Sequence, residues 1–209
     1  MASPFKLSAD GIEEQFATNH LGHFAFTKVL LEAILKGDRP RIVNLTSDYH
    51  TKAPQPQGIR FESINDEKSM SSWDRYGQSK VSNILFSKQL DKLYGDKIFV
   101  NSVHPGKIRF VKTELTRGPV ASTGAWVKPF LEVIKHFAAL DVQDGVLTQL
   151  YAATSQDIET KSLKNRYFVP IAVDATETEL IALGKNDQLA QKLWDFSEAL
   201  VAEKIGSSI

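Results

Sequence analysis

Apolar residues recur along the chain in two alternating periods. Across residues 8–36 they fall at helical spacing, with Ser8 placed to cap the segment, Gly37 to stop it and Pro40 just beyond. One long helix is expected there. Residues 41–47 (RIVNLTS) form a short β-rich run in which Ile42, Val43 and Leu45 crowd too closely for a strand wet on one side, so it reads as a buried strand. The stretch from 48 to about 70, rich in Pro, Gln and Ser and broken by Pro54, Pro56 and Gly58, reads as a long surface connection.

A second long helix is expected over 72–94, ending at Gly95. A second β-rich run follows at 97–104 (KIFVNSVH), closed by Pro105 and Gly106. The order helix, strand, helix, strand predicts an α/β fold of parallel strands joined by crossover helices. Between 107 and 140, Gly118, Pro119, Gly124 and Pro129 interrupt an apolar set of Trp126, Phe130, Val133, Ile134 and Phe137, which suggests short helices shaping a pocket. A helix over 142–154, a short strand over 166–171 and a last helix over 188–203 complete the pattern. With no internal repeat and no linker, residues 1–209 read as a single domain.

Composition narrows the function. The 209 residues hold 25 basic and 25 acidic side chains and are 42% apolar, enough for a buried core. Zero net charge removes the main warrant for binding nucleic acid or an anionic membrane. The absence of cysteine excludes a disulfide scaffold, a thiolate metal cage and a thiol nucleophile, and fits a reducing compartment. No apolar run reaches the length of a membrane span, and the first ten residues do not read as a secretory signal, so a cytoplasmic protein is expected. His20 and His23 lack the acidic partner and spacing of a metal site, and no Gly-x-Ser-x-Gly elbow is present.

The second long helix holds the most informative arrangement. Tyr76, Lys80, Asn83 and Ser87 follow one another at steps of four, three and four, a polar stripe on a helix otherwise rich in Ile84, Leu85, Phe86, Leu90 and Leu93. A phenol titrates near pH 10, about three units above neutrality, and an ammonium one turn away favours the phenolate. By itself a Tyr-x-x-x-Lys pair reads first as a solvated helix face. Asn19 projects onto the same face as Ile12, Phe16, Phe26 and Leu30, so its amide is expected to be buried, in a structural or a functional role. Ser47 ends a predicted strand, where parallel α/β sheets place ligand-contacting groups, although a capping or turn role is the commoner one. Pro105 and Gly106 close the other strand equivalently, and a glycine there permits close backbone approach.

Together these segments resemble the short-chain dehydrogenase/reductase family, in particular its retinol-dehydrogenase-like and fungal members. The matching pieces are NHLGHF at 19–24, RIVNLTS at 41–47, YGQSK at 76–80 and VNSVHPG at 100–106, and the similarity runs from about residue 3 to about 202. The resemblance implies a Rossmann-like three-layer sandwich and an NADP(H)-dependent oxidoreductase interconverting a carbonyl and an alcohol. Tyr76 would be the general acid, Lys80 would lower its pKa and hold the nicotinamide ribose, Ser47 would orient the carbonyl, and Asn19 would anchor a water in the proton relay. Pro105 and Gly106 would line the nicotinamide pocket, with Val111 and Thr113 contacting the cofactor. The implied partners are a small lipophilic carbonyl or alcohol substrate and, through the long helices, a second copy of the chain.

The chain departs from the family pattern twice. Gly-x-Gly occurs nowhere in it, and the Asn-Asn-Ala-Gly segment that ends the family's fourth strand is missing. The expectation is therefore an incomplete fold lacking the first four strands, with the catalytic residues kept and the dinucleotide anchorage lost, and with an exposed edge on the strand at 41–47. A catalytically inactive remnant acting at most as an interaction module is the alternative. Thr113 also lies seven residues after Gly106, against about four in the family, which implies an inserted loop.

Overall fold

The computed structural model describes residues 1–106 and 142–205. A short helix α1 (Glu14–Phe16) passes through a π-helical segment (Ala17–Leu21) into α2 (Gly22–Leu35). Strand β1 (Arg41–Leu45), helix α3 (Ser72–Tyr94) and strand β2 (Phe99–Val103) follow. Beyond residue 141 come α4 (Val142–Thr154), α5 (Asp157–Thr160), β3 (Tyr167–Val169), β4 (Val173–Asp174) and α6 (Asp187–Ile205).

The four strands form one sheet in the order β1-β2-β3-β4. The first three run parallel, and β4 pairs antiparallel with β3 in a two-residue addition that the pattern of apolar positions does not reveal. Strand alternation separates the faces. Ile42 and Val100 pack into the core shared with α3 and α6, whereas Val43, Phe99, Val103 and Phe168 pack with Ala152 of α4 and Ile158 of α5. The result is helix, sheet, helix in three layers, as expected for this α/β class. Among the described residues β1 is an edge strand, and its Leu45 is 45% exposed.

Helix α3 is the spine of the molecule. It opens with a capping box in which Ser71 Oγ accepts from Asp74 N at 3.2 Å while the Asp74 carboxylate accepts from Ser71 N at 3.1 Å. It is buried from Arg75 to Ser87 and ends at Gly95, matching the expected 72–94.

The first helix differs from expectation in start and phase. Ser8 caps a local turn rather than the helix: its Oγ accepts from the Asp10 and Ile12 amides, and Gly11 supplies the positive φ of 74° that the turn needs. Glu13 is the true cap, its carboxylate accepting from Gln15 N and Phe16 N. The π-helical segment then adds a residue to one turn and rotates everything beyond it. Phe24 and Leu31 therefore face the core, whereas Phe26 and Leu30, expected on the buried side, are exposed.

The connection after β1 is not confined to the surface either. Ala53, Ile59, Phe61, Ile64 and Met70 are all buried, so its breakers bend a segment that carries its own apolar anchors.

Candidate active site

The stripe on α3 faces the sheet. Tyr76, Lys80, Asn83 and Ser87 are all buried, Tyr76 at 7% and Lys80 at 9% exposure, so the solvated-face reading does not hold. A ladder of polar contacts ties the stripe to the strand ends. Asn44 Nδ2 donates to Ser87 Oγ at 2.8 Å, Ser102 Oγ to Ser87 Oγ at 2.8 Å, Asn83 Nδ2 to the Leu45 carbonyl at 2.9 Å, and Thr46 Oγ1 to the Lys80 carbonyl at 2.7 Å. Because each buried donor finds an acceptor, the ladder fixes the register of α3 against β1 and β2.

Ser47 stands at the carboxyl end of β1, where the chain turns into a 3₁₀ segment (Asp48–Lys52). Its Oγ accepts from Tyr49 N at 3.2 Å and lies 2.9 Å from Asp48 Oδ1, so the capping role and proximity to the stripe coexist. Two neighbours escaped the sequence reading. His50 donates from Nδ1 to the Ser47 carbonyl at 2.7 Å and rests edge-on against Tyr167, ring centroids 5.1 Å apart. Gly77 lets the 3₁₀ segment press directly on α3: a Cβ there would meet the Tyr49 carbonyl oxygen and the Lys52 carbonyl carbon at 2.8 Å. Their signal lies in the sequence, since SDYH directly follows the strand and glycine directly follows Tyr76. Tyr49 also stacks on Trp73 at 4.8 Å and leans on Tyr76 at 5.7 Å, forming an aromatic wall beside the phenol.

The electrostatics correct one expectation. Burial pushes the Tyr76 phenol up to about 12, against which the Ser47 hydroxyl acts in the opposite sense, while Asp48 and Tyr49 add to the rise. Lys80 is brought down to about 8 by burial. Its Nζ sits over the Tyr76 ring, 5.5 Å from the centroid. Desolvation therefore outweighs the ammonium–phenolate attraction, and Tyr76 holds its proton at neutral pH.

Asn19 lies in the π-helical segment, half-buried, with Nδ2 donating to Ser79 Oγ at 3.0 Å. The next residue, His20, occupies the fully buried position. Pro105 and Gly106 sit half-buried just past β2, and the pairing of Leu45 with Val103 puts them at the same sheet end as Ser47. The structure thus brings Ser47, Tyr76, Lys80, Pro105 and Gly106 to one end of the sheet. Val111 and Thr113 lie outside the described residues, as does the pocket-shaping segment expected over 107–140. Among the described residues no cluster suits a metal ion, and no helix is long and apolar enough to cross a membrane.

No family model matches the chain. Individual relatives do. The chain is 39% identical to short-chain dehydrogenase TIC 32 A, chloroplastic, of Brassica napus, over 96% of its own length and 61% of the relative's. It is 35% identical to human retinol dehydrogenase 14, over 95% and 55% respectively, and 33% identical to the short-chain dehydrogenase/reductase drtF of Aspergillus calidoustus, over 95% and 64%. The chain therefore spans about three-fifths of the length of the curated relatives it matches. Among solved structures, an uncharacterized protein from Mycobacterium paratuberculosis superposes with a TM-score of 0.62 at 27% identity, covering 96% of this chain and 63% of that one. Plant, animal and fungal oxidoreductases thus align with nearly every residue present, and the chain belongs to the short-chain dehydrogenase/reductase family.

Proposed function

We propose that this chain carries the catalytic part of an NADP(H)-dependent oxidoreductase that interconverts a carbonyl and an alcohol. One observation carries the reading: a protonated phenol, an ammonium and a strand-end serine are buried together at the carboxyl end of a parallel sheet. The residues fit the ribose and nicotinamide end of the cofactor. Lys80 offers three donors, of which the described residues engage one, in a long 3.4 Å contact with the Leu45 carbonyl. Bound there, the nicotinamide supplies or accepts the hydride.

The side chains do the rest. Ser47 Oγ holds the substrate oxygen, Tyr76 passes its proton to that oxygen as the carbonyl carbon is reduced, and the reverse transfer accompanies oxidation. Lys80 holds the ribose, and its ammonium over the ring faces the charge left on Tyr76 after proton transfer. Asn19 anchors a water that returns a proton to the site. The Tyr49–Trp73 wall beside the phenol supports a lipophilic substrate, and Phe26 and Val29, 65% and 59% exposed on α2, support self-association of the chain.

Titration with NADPH, read by nicotinamide fluorescence, tests the assignment. Saturable binding is expected, and Tyr76→Phe should abolish reduction of an apolar aldehyde while leaving cofactor affinity nearly intact. No binding at millimolar NADPH, or full turnover in the Tyr76→Phe chain, overturns it.

A further inference from the structure

The Leu45 carbonyl oxygen accepts from two side chains of α3, one turn apart. Asn83 Nδ2 holds it at 2.9 Å and Lys80 Nζ reaches it at 3.4 Å. The Asn83 contact is short and the Lys80 contact long, so the amide, not the ammonium, fixes the shared oxygen. Asn83 is itself fixed, for it is buried, and Ser87 Oγ one turn on donates back to the Asn83 carbonyl at 3.2 Å. Across the helix pair its side chain also lies near His20 of the π-helical segment, favouring that imidazole's charged form.

We propose that Asn83 is a positioning residue for Lys80: by pinning the Leu45 carbonyl it holds the ammonium over the Tyr76 ring and within reach of the Ser47 end of the site. This deepens the oxidoreductase reading above and rests on it for the role of Lys80. Deleting the amide releases the oxygen, and the flexible lysine stem is then free to carry its charge toward water. The burial that lowers the Lys80 pKa would relax with it. Among the described residues the Met1 amine feels the charge of Lys80, which lowers its pKa after burial has done so. It stays in place when residue 83 is changed.

Carbon-13 lysine NMR of the full chain, with the Lys80 signal assigned by Lys80→Arg, reads the effect without cofactor or turnover. Asn83→Leu should raise the Lys80 titration midpoint by about one pH unit, a tenfold gain in proton affinity, and Asn83→Gln, which keeps a donor, should restore most of the original value. An unchanged midpoint in a folded Asn83→Leu chain overturns the proposal. So does a lowered thermal midpoint with the Lys80 titration intact, the mark of a purely structural asparagine. Should the leucine chain fail to fold, Asn83→Ala removes the same donor and is read by the same criteria. A shifted Lys80 in a chain that does not bind NADPH would sink the proposed function and leave this inference standing.

Discussion

The two long helices differ in composition and in what they bury, α2 being mostly apolar and α3 mostly polar. Helix α3 is regular throughout and buries a polar stripe against the sheet, where each rung finds a strand-end partner. Helix α2 is entered through a π-helical segment, buries Phe24 and Leu31, and leaves Phe26 and Val29 in solvent. The π-helical segment leading into it buries His20 among Phe16, Phe24 and Phe86, with Nε2 paired to Ser197 Oγ at 2.9 Å. Polarity in the interior thus serves register on α3, whereas at the entry to α2 it is one imidazole inside an aromatic cluster.

The largest test of that contrast is acid. Burial lowers His20 from 6.5 to about 3, so it folds neutral. Between those values the unfolded chain binds the extra proton, and stability should fall as pH drops from 6.5 toward 3, by about 5 kcal/mol at most. Urea unfolding across that range checks it, with a His20→Leu chain expected to lose this component. Lys80 gives the matching step on α3, in a separate window. With 10.5 unfolded and about 8 folded, stability should rise from pH 8 toward 10.5, by about 3 kcal/mol, and Lys80→Met should flatten the rise. If both steps appeared in one window, the two interiors would not be electrostatically distinct.

Smaller effects sharpen the contrast at the helix ends and surfaces. Ser71→Ala removes half of the capping box and should cost about 1 kcal/mol in thermal unfolding. Phe26→Gln, on the exposed side of α2, should stay within about 0.5 kcal/mol of the parent chain in the same measurement. At concentrations where the chain self-associates through this face, the loss should be larger.

The same contrast explains what was legible in the sequence. Helix α3 could be read to its ends because Gly95 and the three- and four-residue steps of its polar stripe speak for one regular element. The polar stripe at Tyr76, Lys80, Asn83 and Ser87 was visible for the same reason, and its chain order against RIVNLTS located the site. The phase of α2 was not legible, since a helical projection assumes a constant turn and the segment at Ala17–Leu21 breaks it. That break moved His20, rather than a neighbour, into the core. The height of the Tyr76 pKa was hidden too, because a one-turn spacing reports proximity to Lys80 but not the water lost on burial. SDYH and the glycine after Tyr76 mark His50 and Gly77 in the sequence, but not the Tyr167 ring that His50 meets or the Tyr49 and Lys52 backbone that Gly77 admits, because those contacts join segments far apart in the chain.

Gly77 has a mechanical corollary. With the backbone of the Asp48–Lys52 segment seated directly on α3 beside Tyr76, the hydroxyls of residues 47 and 76 ride on one stiff joint rather than on two independent arms. Any sliding of the helix along the sheet carries both together, so their mutual spacing outlasts motions that alter everything around them.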